Sequence, residues 1–296
     1  MSESHGQIFR KLITTEAPLQ IVGTVNAYSA MLAAASGFQA IYLSGAGVAN
    51  ASFGLPDLGM TTLTEVLEDA RRITAACSLP LLVDVDTGFG HVFNIARTVQ
   101  LMEQACVAAI HIEDQVTTKR CGHRPGKTIV TVEAMEDRIK AAVDARLNSD
   151  FVIMARTDAY ATEGMASAIE RAQRYIEAGA DMIFPEAMTT LEAYQTFAEA
   201  VNVPILANIT EFGKTPLFTR EELKAVGVQL ILYPLSGFRA MSYAALQTYQ
   251  TIRQEGTQKP MLNQMQTRED LYRILHYYTY EKKIDQMQGK GETDGQ

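Results

Sequence analysis

The chain has 296 residues, 47% of them hydrophobic and 20% charged, with a formal net charge of −8. This composition describes a compact globular protein with a large core, and the acidic balance disfavours a nucleic-acid or anionic-membrane partner. No stretch approaches the roughly 20 consecutive apolar residues that a membrane helix needs.

Apolar runs rich in β-formers recur along the chain at Leu19–Val25, Ala40–Leu43, Leu79–Val85, Ala108–Ile112, Phe151–Ala155, Asp181–Phe184, Val203–Asn208 and Val228–Tyr233. They are continuous rather than alternating, as parallel strands covered on both faces are. Amphipathic stretches separate them at 27–36, 62–76, 92–106, 131–146, 164–178, 190–200, 219–226 and 236–254. Thr131 and Thr219 each precede early acidic residues, which suits an N-cap and the helix dipole. Ala178-Gly179-Ala180, Pro80 and Pro204 mark helix ends and strand entries. Eight strand–helix units running one way predict an α/β protein of the (β/α)8 TIM-barrel type. An open doubly wound sheet is the competing fold, but no Gly-x-Gly-x-x-Gly follows the first strand. Residues 114–130 form a long connection of lid type. A further helix rich in Tyr and Leu is predicted over 267–285, and 286–296 read as a frayed polar tail. The expected organisation is one domain over 1–285.

The opening Met1-Ser2-Glu3-Ser4-His5-Gly6-Gln7 lacks the basic and apolar regions of a secretory signal. Cys77, Cys106 and Cys121 are an odd number at no metal-like spacing and read as free thiols in a reducing cytoplasm. Cys77 and Cys106 lie in helical stretches among apolar residues and read as packing. Cys121 differs, because Lys119-Arg120-Cys121-Gly122-His123-Arg124 surrounds it with cations, a setting that favours the thiolate. Gly122 supplies a flexible joint, and His123 either helps the thiol ionise or orients the loop.

In a parallel barrel the site lies at the C-terminal strand ends. Asp84 and Asp86 alternate along a strand and so share a face. With Glu113 and Glu186 they form a carboxylate cluster that needs a divalent cation or protons. Oxygen ligands without a His or Cys cluster argue for Mg²⁺, with Mn²⁺ as substitute. Ser44-Gly45-Ala46-Gly47 is suited to presenting backbone N–H groups to an anion, although such an exit is equally a tight turn. Arg156 and Arg239 stand where they would clamp substrate carboxylates. His111, inside a strand, reads as a hydrogen-bonded core histidine.

Asp84-Val85-Asp86-Thr87-Gly88-Phe89-Gly90, His111-Ile112-Glu113-Asp114-Gln115, Lys119 to His123 and Arg156-Thr157-Asp158-Ala159 resemble, in that order, the isocitrate lyase/phosphoenolpyruvate mutase superfamily. The likeness runs from about residue 8 to residue 285, and the cysteine loop is specific to the lyase branch. Lyases of this branch cleave a C–C bond in a small tricarboxylate with Mg²⁺. The resemblance implies a site of Ser44, Gly45, Ala46, Cys121, Gly122 and Arg156, continued by Glu186, Asn208, Thr210, Arg239 and Arg268. It implies that Asp84 and Asp86 hold the metal, and that the protein is a homotetramer of barrels exchanging a C-terminal helix. Ala46 departs from the glycine more usual in relatives and narrows the pocket floor. The chemistry needs a base, assigned to Tyr42 as the end of strand two, whose pKa would have to fall far below 10. It also needs a proton donor, assigned to Cys121, with Glu113 and His123 beside them. Isocitrate lyases resemble the chain with large insertions and a tryptophan near position 186. Phe184-Pro185-Glu186 and the absence of any tryptophan favour a methylated substrate. A 2-alkylmalate lyase and a catalytically inactive binding barrel are the other readings.

Overall fold

The computed structural model describes residues 3–288. Its strands are β1 (Leu19–Gly23), β2 (Ala40–Leu43), β3 (Leu81–Asp84), β4 (Ala109–Glu113), β5 (Val152–Thr157), β6 (Met182–Pro185), β7 (Leu206–Asn208) and β8 (Leu230–Tyr233). All are parallel, in the order β6-β5-β4-β3-β2-β1-β8-β7. A parallel bridge from Ile183 to Ile205 brings the two edges together, so the sheet is a nearly closed barrel. The expected (β/α)8 fold is therefore present, with the strands a little shorter than the apolar runs.

Alternation along each strand sorts side chains into two layers. On β2, Ala40 and Tyr42 belong to the barrel interior, while Ile41 and Leu43 pack against the surrounding helices. Leu82, Val152, Met154, Met182, Phe184, Leu206 and Leu230 complete the interior. Full burial of one such side chain contributes about 1.5–3 kcal/mol before the entropy of ordering it is subtracted. The same period of two carries the interior face into the mouth: Leu82 leads to Asp84, Ala109 to His111 and Glu113, Met154 to Arg156, and Phe184 to Glu186. One face thus builds the core at one end and the site at the other.

The expected caps form. Thr131 accepts from the Ala134 N–H at 3.2 Å, and Thr219 and Glu222 cap each other reciprocally. A helix the sequence reading did not anticipate, His5–Thr15, places Phe9 and Ile13 into the interior cluster. Its signal was present, since Ser4 and Gln7 form a capping box. Among the described residues, no helix is long and apolar enough to cross a membrane.

The chain divides into two compact units, the first ending at Arg239 and the second beginning at Ala240. In the second, the predicted single helix over 267–285 is two, Arg268–Ile274 and Tyr277–Met287, separated where His276 turns left-handed with φ +54°. Tyr272 stacks on Tyr277 at 4.1 Å across that break. Gln286 and Met287 still belong to the last helix; the rest of the expected tail, 289–296, lies outside the described residues.

Candidate active site

A cavity of about 90 Å³ opens at the C-terminal strand ends of the first unit. Tyr42, Ser44, Ala46, Asp84, Cys121, Gly122, His123, Arg156, Glu186, Asn208, Thr210 and Arg239 all line it. Glu113 and Asp86 lie just beneath, tied together by a bond from the Glu113 N–H to the Asp86 carbonyl at 2.9 Å.

Asp84 and Asp86 converge as their alternation predicts, although Asp86 does so from a left-handed backbone at φ +48° beyond the end of β3. A Cβ at Gly45 would stand 3.1 Å from an oxygen of each. Burial pushes the Asp84 carboxyl up, but the His111 ring, Lys119 and Arg156 outweigh it and hold the group at about 2. Burial wins at Asp86, which rises to about 6 despite Lys119. Glu113 is wholly buried, neither of its oxygens has a hydrogen-bond partner, and burial drives its pKa well above the carboxylate range. The orphaned oxygens and the paired aspartates together fit a hard divalent cation. Among the described residues no three His, Cys, Asp or Glu side chains are arranged around one point. Water and substrate would therefore have to complete the shell, as they commonly do for Mg²⁺.

Arg156 carries the opposite charge. Its Nε lies 3.1 Å from Asp158, 3.4 Å from Glu113 and 3.9 Å from Glu186, and its guanidinium sits 5.1 Å from the centre of the Phe184 ring. Glu186 stays well below the usual carboxylate range: burial opposes this, but Arg156 and His123 prevail. His123 Nδ1 accepts from the Lys214 N–H at 3.0 Å, so Nε2 carries the proton that meets Glu186 at 2.9 Å. His123 thus ties the loop to Glu186, the orienting one of its two expected roles. Arg239 is more open and pairs with Glu211 at 3.5 Å.

Several expectations need correction. Tyr42 is not poised as a base, because burial and Asp84 raise its pKa well above 10. Its hydroxyl instead shares a 2.8 Å hydrogen bond with His111, a ring that burial keeps neutral with a pKa near 4. The cations flanking Cys121 in sequence do not make it a thiolate. Lys119 spends its charge on Asp57 at 2.8 Å and Asp86 at 2.5 Å, Arg120 donates to the Pro125 carbonyl, and burial raises the thiol pKa. The Gly45 N–H does not wait for an anion but donates to Asp84 at 3.0 Å. Cys77 is buried as expected, whereas Cys106 is exposed and left-handed at φ +59°. Arg268 opens a helix of the second unit, and its substrate role rests on resemblance alone.

The phosphoenolpyruvate phosphomutase family model matches residues 9–253. The chain belongs to the PEP mutase/isocitrate lyase superfamily. Among relatives in this superfamily, the 2-methylisocitrate lyases of Vibrio cholerae and Escherichia coli are each 62% identical to it. They match over 97% and 96% of this chain and 95% and 96% of their own lengths. A crystal structure of 2,3-dimethylmalate lyase covers all of both chains with a TM-score of 0.89 at 32% identity. A phosphonopyruvate hydrolase solved with oxalate and Mg²⁺ matches with a TM-score of 0.83 at 26% identity, over 95% of this chain and 98% of that one.

Sequence reasoning missed Asp57 and Lys127, and it read Lys119 as a cation serving the thiol rather than the carboxylates. Lys119 is only 5% exposed and bridges two carboxylates, and no pattern around Asp57 pointed to it. Gly122 acts less as a joint than as a close approach. A Cβ there would come within 2.4 Å of both the Arg156 guanidinium and the Glu186 carboxylate. Gly122→Ala is expected to leave the fold intact, by circular dichroism and melting temperature, while lowering kcat about 100-fold through misplacement of the neighbouring thiol.

Proposed function

We propose that the chain is a carbon–carbon lyase that cleaves 2-methylisocitrate to pyruvate and succinate. The observation that carries this reading is Cys121, a thiol kept protonated by burial and held over a cavity lined by Arg156, Arg239 and Asn208. The likeness to 2-methylisocitrate lyases, at 62% identity over nearly the whole chain, supports the substrate.

Arg156 and Arg239 bind substrate carboxylates, Asn208 and the Ser44 and Thr210 hydroxyls fix their orientation, and Glu186 keeps Arg156 and His123 in place. Asp84 and Asp86 are the residues that would hold Mg²⁺, or Mn²⁺ in its place. When bound, the ion supplies positive charge to the substrate hydroxyl oxygen and the adjacent carboxylate. Cleavage breaks the bond between C2 and C3 as the hydroxyl proton passes to a carboxylate lining the cavity and the pyruvate carbonyl forms; that proton later restores the Cys121 thiol, so none is gained or lost overall. The electron pair stays on the succinate half, where carbon takes the proton of the Cys121 thiol. The lid keeps water away from that carbanion-like centre. Tyr42, with its proton retained, serves this site as a hydrogen-bonding group.

The likeness to 2,3-dimethylmalate lyase favours a second reading, in which a 2-alkylmalate is the substrate. Its 32% identity is far below the 62% of the 2-methylisocitrate lyases. Three free cysteines, one of them exposed, suit the reducing cytoplasm. The second unit exposes Tyr243, Tyr249, Tyr280 and Ile284, an apolar surface that favours assembly. We assign it to a homotetramer in which paired subunits exchange their C-terminal helices. Light scattering after gel filtration should give four times the 32.6 kDa chain mass, and a monomeric mass would sink that assignment.

Purified protein with Mg²⁺ is expected to release pyruvate from 2-methylisocitrate much faster than glyoxylate from isocitrate or pyruvate from a dimethylmalate. Comparable rates would remove the substrate assignment, and activity unchanged by EDTA would remove the metal. Cys121→Ser is expected to fold and bind succinate while losing at least about 100-fold in kcat, the size of a general-acid contribution. Turnover near that of the unaltered protein would rule out the thiol as proton donor.

A further inference from the structure

The segment between β4 and the helix Val132–Asp144 has a neck and a head. The Gln115–Ile129 bridge, the Val116 N–H to Thr128 carbonyl bond at 3.0 Å and the Val130 N–H to Asp114 carbonyl bond at 2.8 Å close the neck. The Gln115 side chain then holds both backbone groups of Arg120, accepting from its N–H at 3.0 Å and donating to its carbonyl at 2.9 Å. The head beyond carries Cys121, and the other side of the loop must pin it too.

Lys127 provides that second hold. Its ammonium donates to the Gly122 carbonyl at 2.7 Å, the peptide unit next to the reactive thiol, and to Asp158 Oδ1 at 2.5 Å. The Lys127 side chain is 2% exposed and that of Asp158 not exposed at all, yet neither residue lines the cavity. Asp158 in turn receives Arg156 through both oxygens, from Nε at 3.1 Å and from Nη2 at 3.4 Å. Its own N–H is fixed by Asp114 at 2.9 Å. One buried carboxylate is therefore shared between a cation of the lid and a cation of the barrel wall.

We propose that Lys127 is a positioning residue, a latch that holds the lid shut and, through Asp158, sets the placement of Arg156. With Lys127 seated, Asp158 divides its charge between two cations, and the guanidinium is left oriented toward Glu186 and the cavity. With the lid lifted, Lys127 leaves, and a carboxylate buried in low dielectric pairs wholly with Arg156. Closure of the lid and alignment of the substrate clamp are thus one event. Lys127 touches no reacting atom; it acts through the Gly122 peptide and Asp158.

The kinetic half of the test rests on the lyase reading above, while the alkylation half needs no substrate. The rate of iodoacetamide addition to Cys121 is read by mass spectrometry of its peptide, in the unaltered protein and in Lys127→Met, Lys127→Arg and Asp158→Asn. Loss of a buried charge-assisted hydrogen bond should let Lys127→Met react about tenfold faster or more, with Lys127→Arg between the two. Lys127→Met combined with Asp158→Asn should react no faster than the faster single variant, since both break one link. In the lyase assay Lys127→Met should lose kcat in proportion and raise KM as well, since the Arg156 clamp is misaligned with the lid, and Lys127→Arg should recover part of both. Equal alkylation rates in folded unaltered and Lys127→Met proteins overturn the latch, whatever the substrate proves to be. If Lys127→Met does not fold, Lys127→Arg decides, and an alkylation rate equal to that of the unaltered protein overturns the proposal.

Discussion

Five buried carboxylates, Asp84, Asp86, Glu113, Asp158 and Glu186, meet at the mouth of this barrel, and Arg156 lies within 3.9 Å of the last three. Removing charge from water is expensive, and the attraction between partners repays it only where the geometry is good. Arg156 alone does not balance the cluster. The lid contributes two more cations, Lys119 to Asp86 and Lys127 to Asp158. Seen as electrostatics, the lid is a set of counter-charges delivered to an acidic rim, and a divalent ion between Asp84 and Asp86 would continue the same compensation. Burial and neighbouring charge also set them apart: at Asp86 burial outweighs Lys119 and, with Asp84 beside it, the group rises to about 6, while His111, Lys119 and Arg156 hold Asp84 at about 2.

Burial sorts the remaining groups by role. It keeps Cys121 a thiol, Tyr42 a phenol and His111 a neutral ring, three groups that carry protons or share them without bearing charge. A thiol in that state is a poor nucleophile and a suitable acid toward a carbanion. The lid glycine allows the thiol to sit so close, because any side chain at position 122 would occupy the space of Arg156 and Glu186.

Much of this was legible in the residues. The eight buried strands announce themselves as apolar runs, and their final residues hold the ionisable groups found at the mouth. What the chain order hides is where each charge is spent. Lys119 and Arg120 flank Cys121 in sequence, but their partners Asp57, Asp86 and the Pro125 carbonyl lie elsewhere, so the neighbourhood along the chain misstated the neighbourhood in space. Lys127, four residues past His123, looked like an ordinary loop lysine, although it is almost wholly buried against a residue of the Arg156-Thr157-Asp158 strand end. The break at His276 was hidden for a different reason: a helical periodicity continues across it, and only the left-handed backbone of one residue separates the two helices.

The strict two-residue alternation has a consequence for how this chain tolerates change in length. Leu82 and Asp84 share a face of β3, as do Met154 and Arg156 on β5. Deleting one residue inside either strand would turn the carboxylate or guanidinium toward the apolar helix layer and swing an outward neighbour such as Val83 or Ala155 into the mouth. Core and site would fail together. Residues added at the tips of the helix-to-strand turns, such as the one at Gly179, would leave both faces in phase. The barrel is therefore brittle to insertion and deletion along its strands and permissive between them.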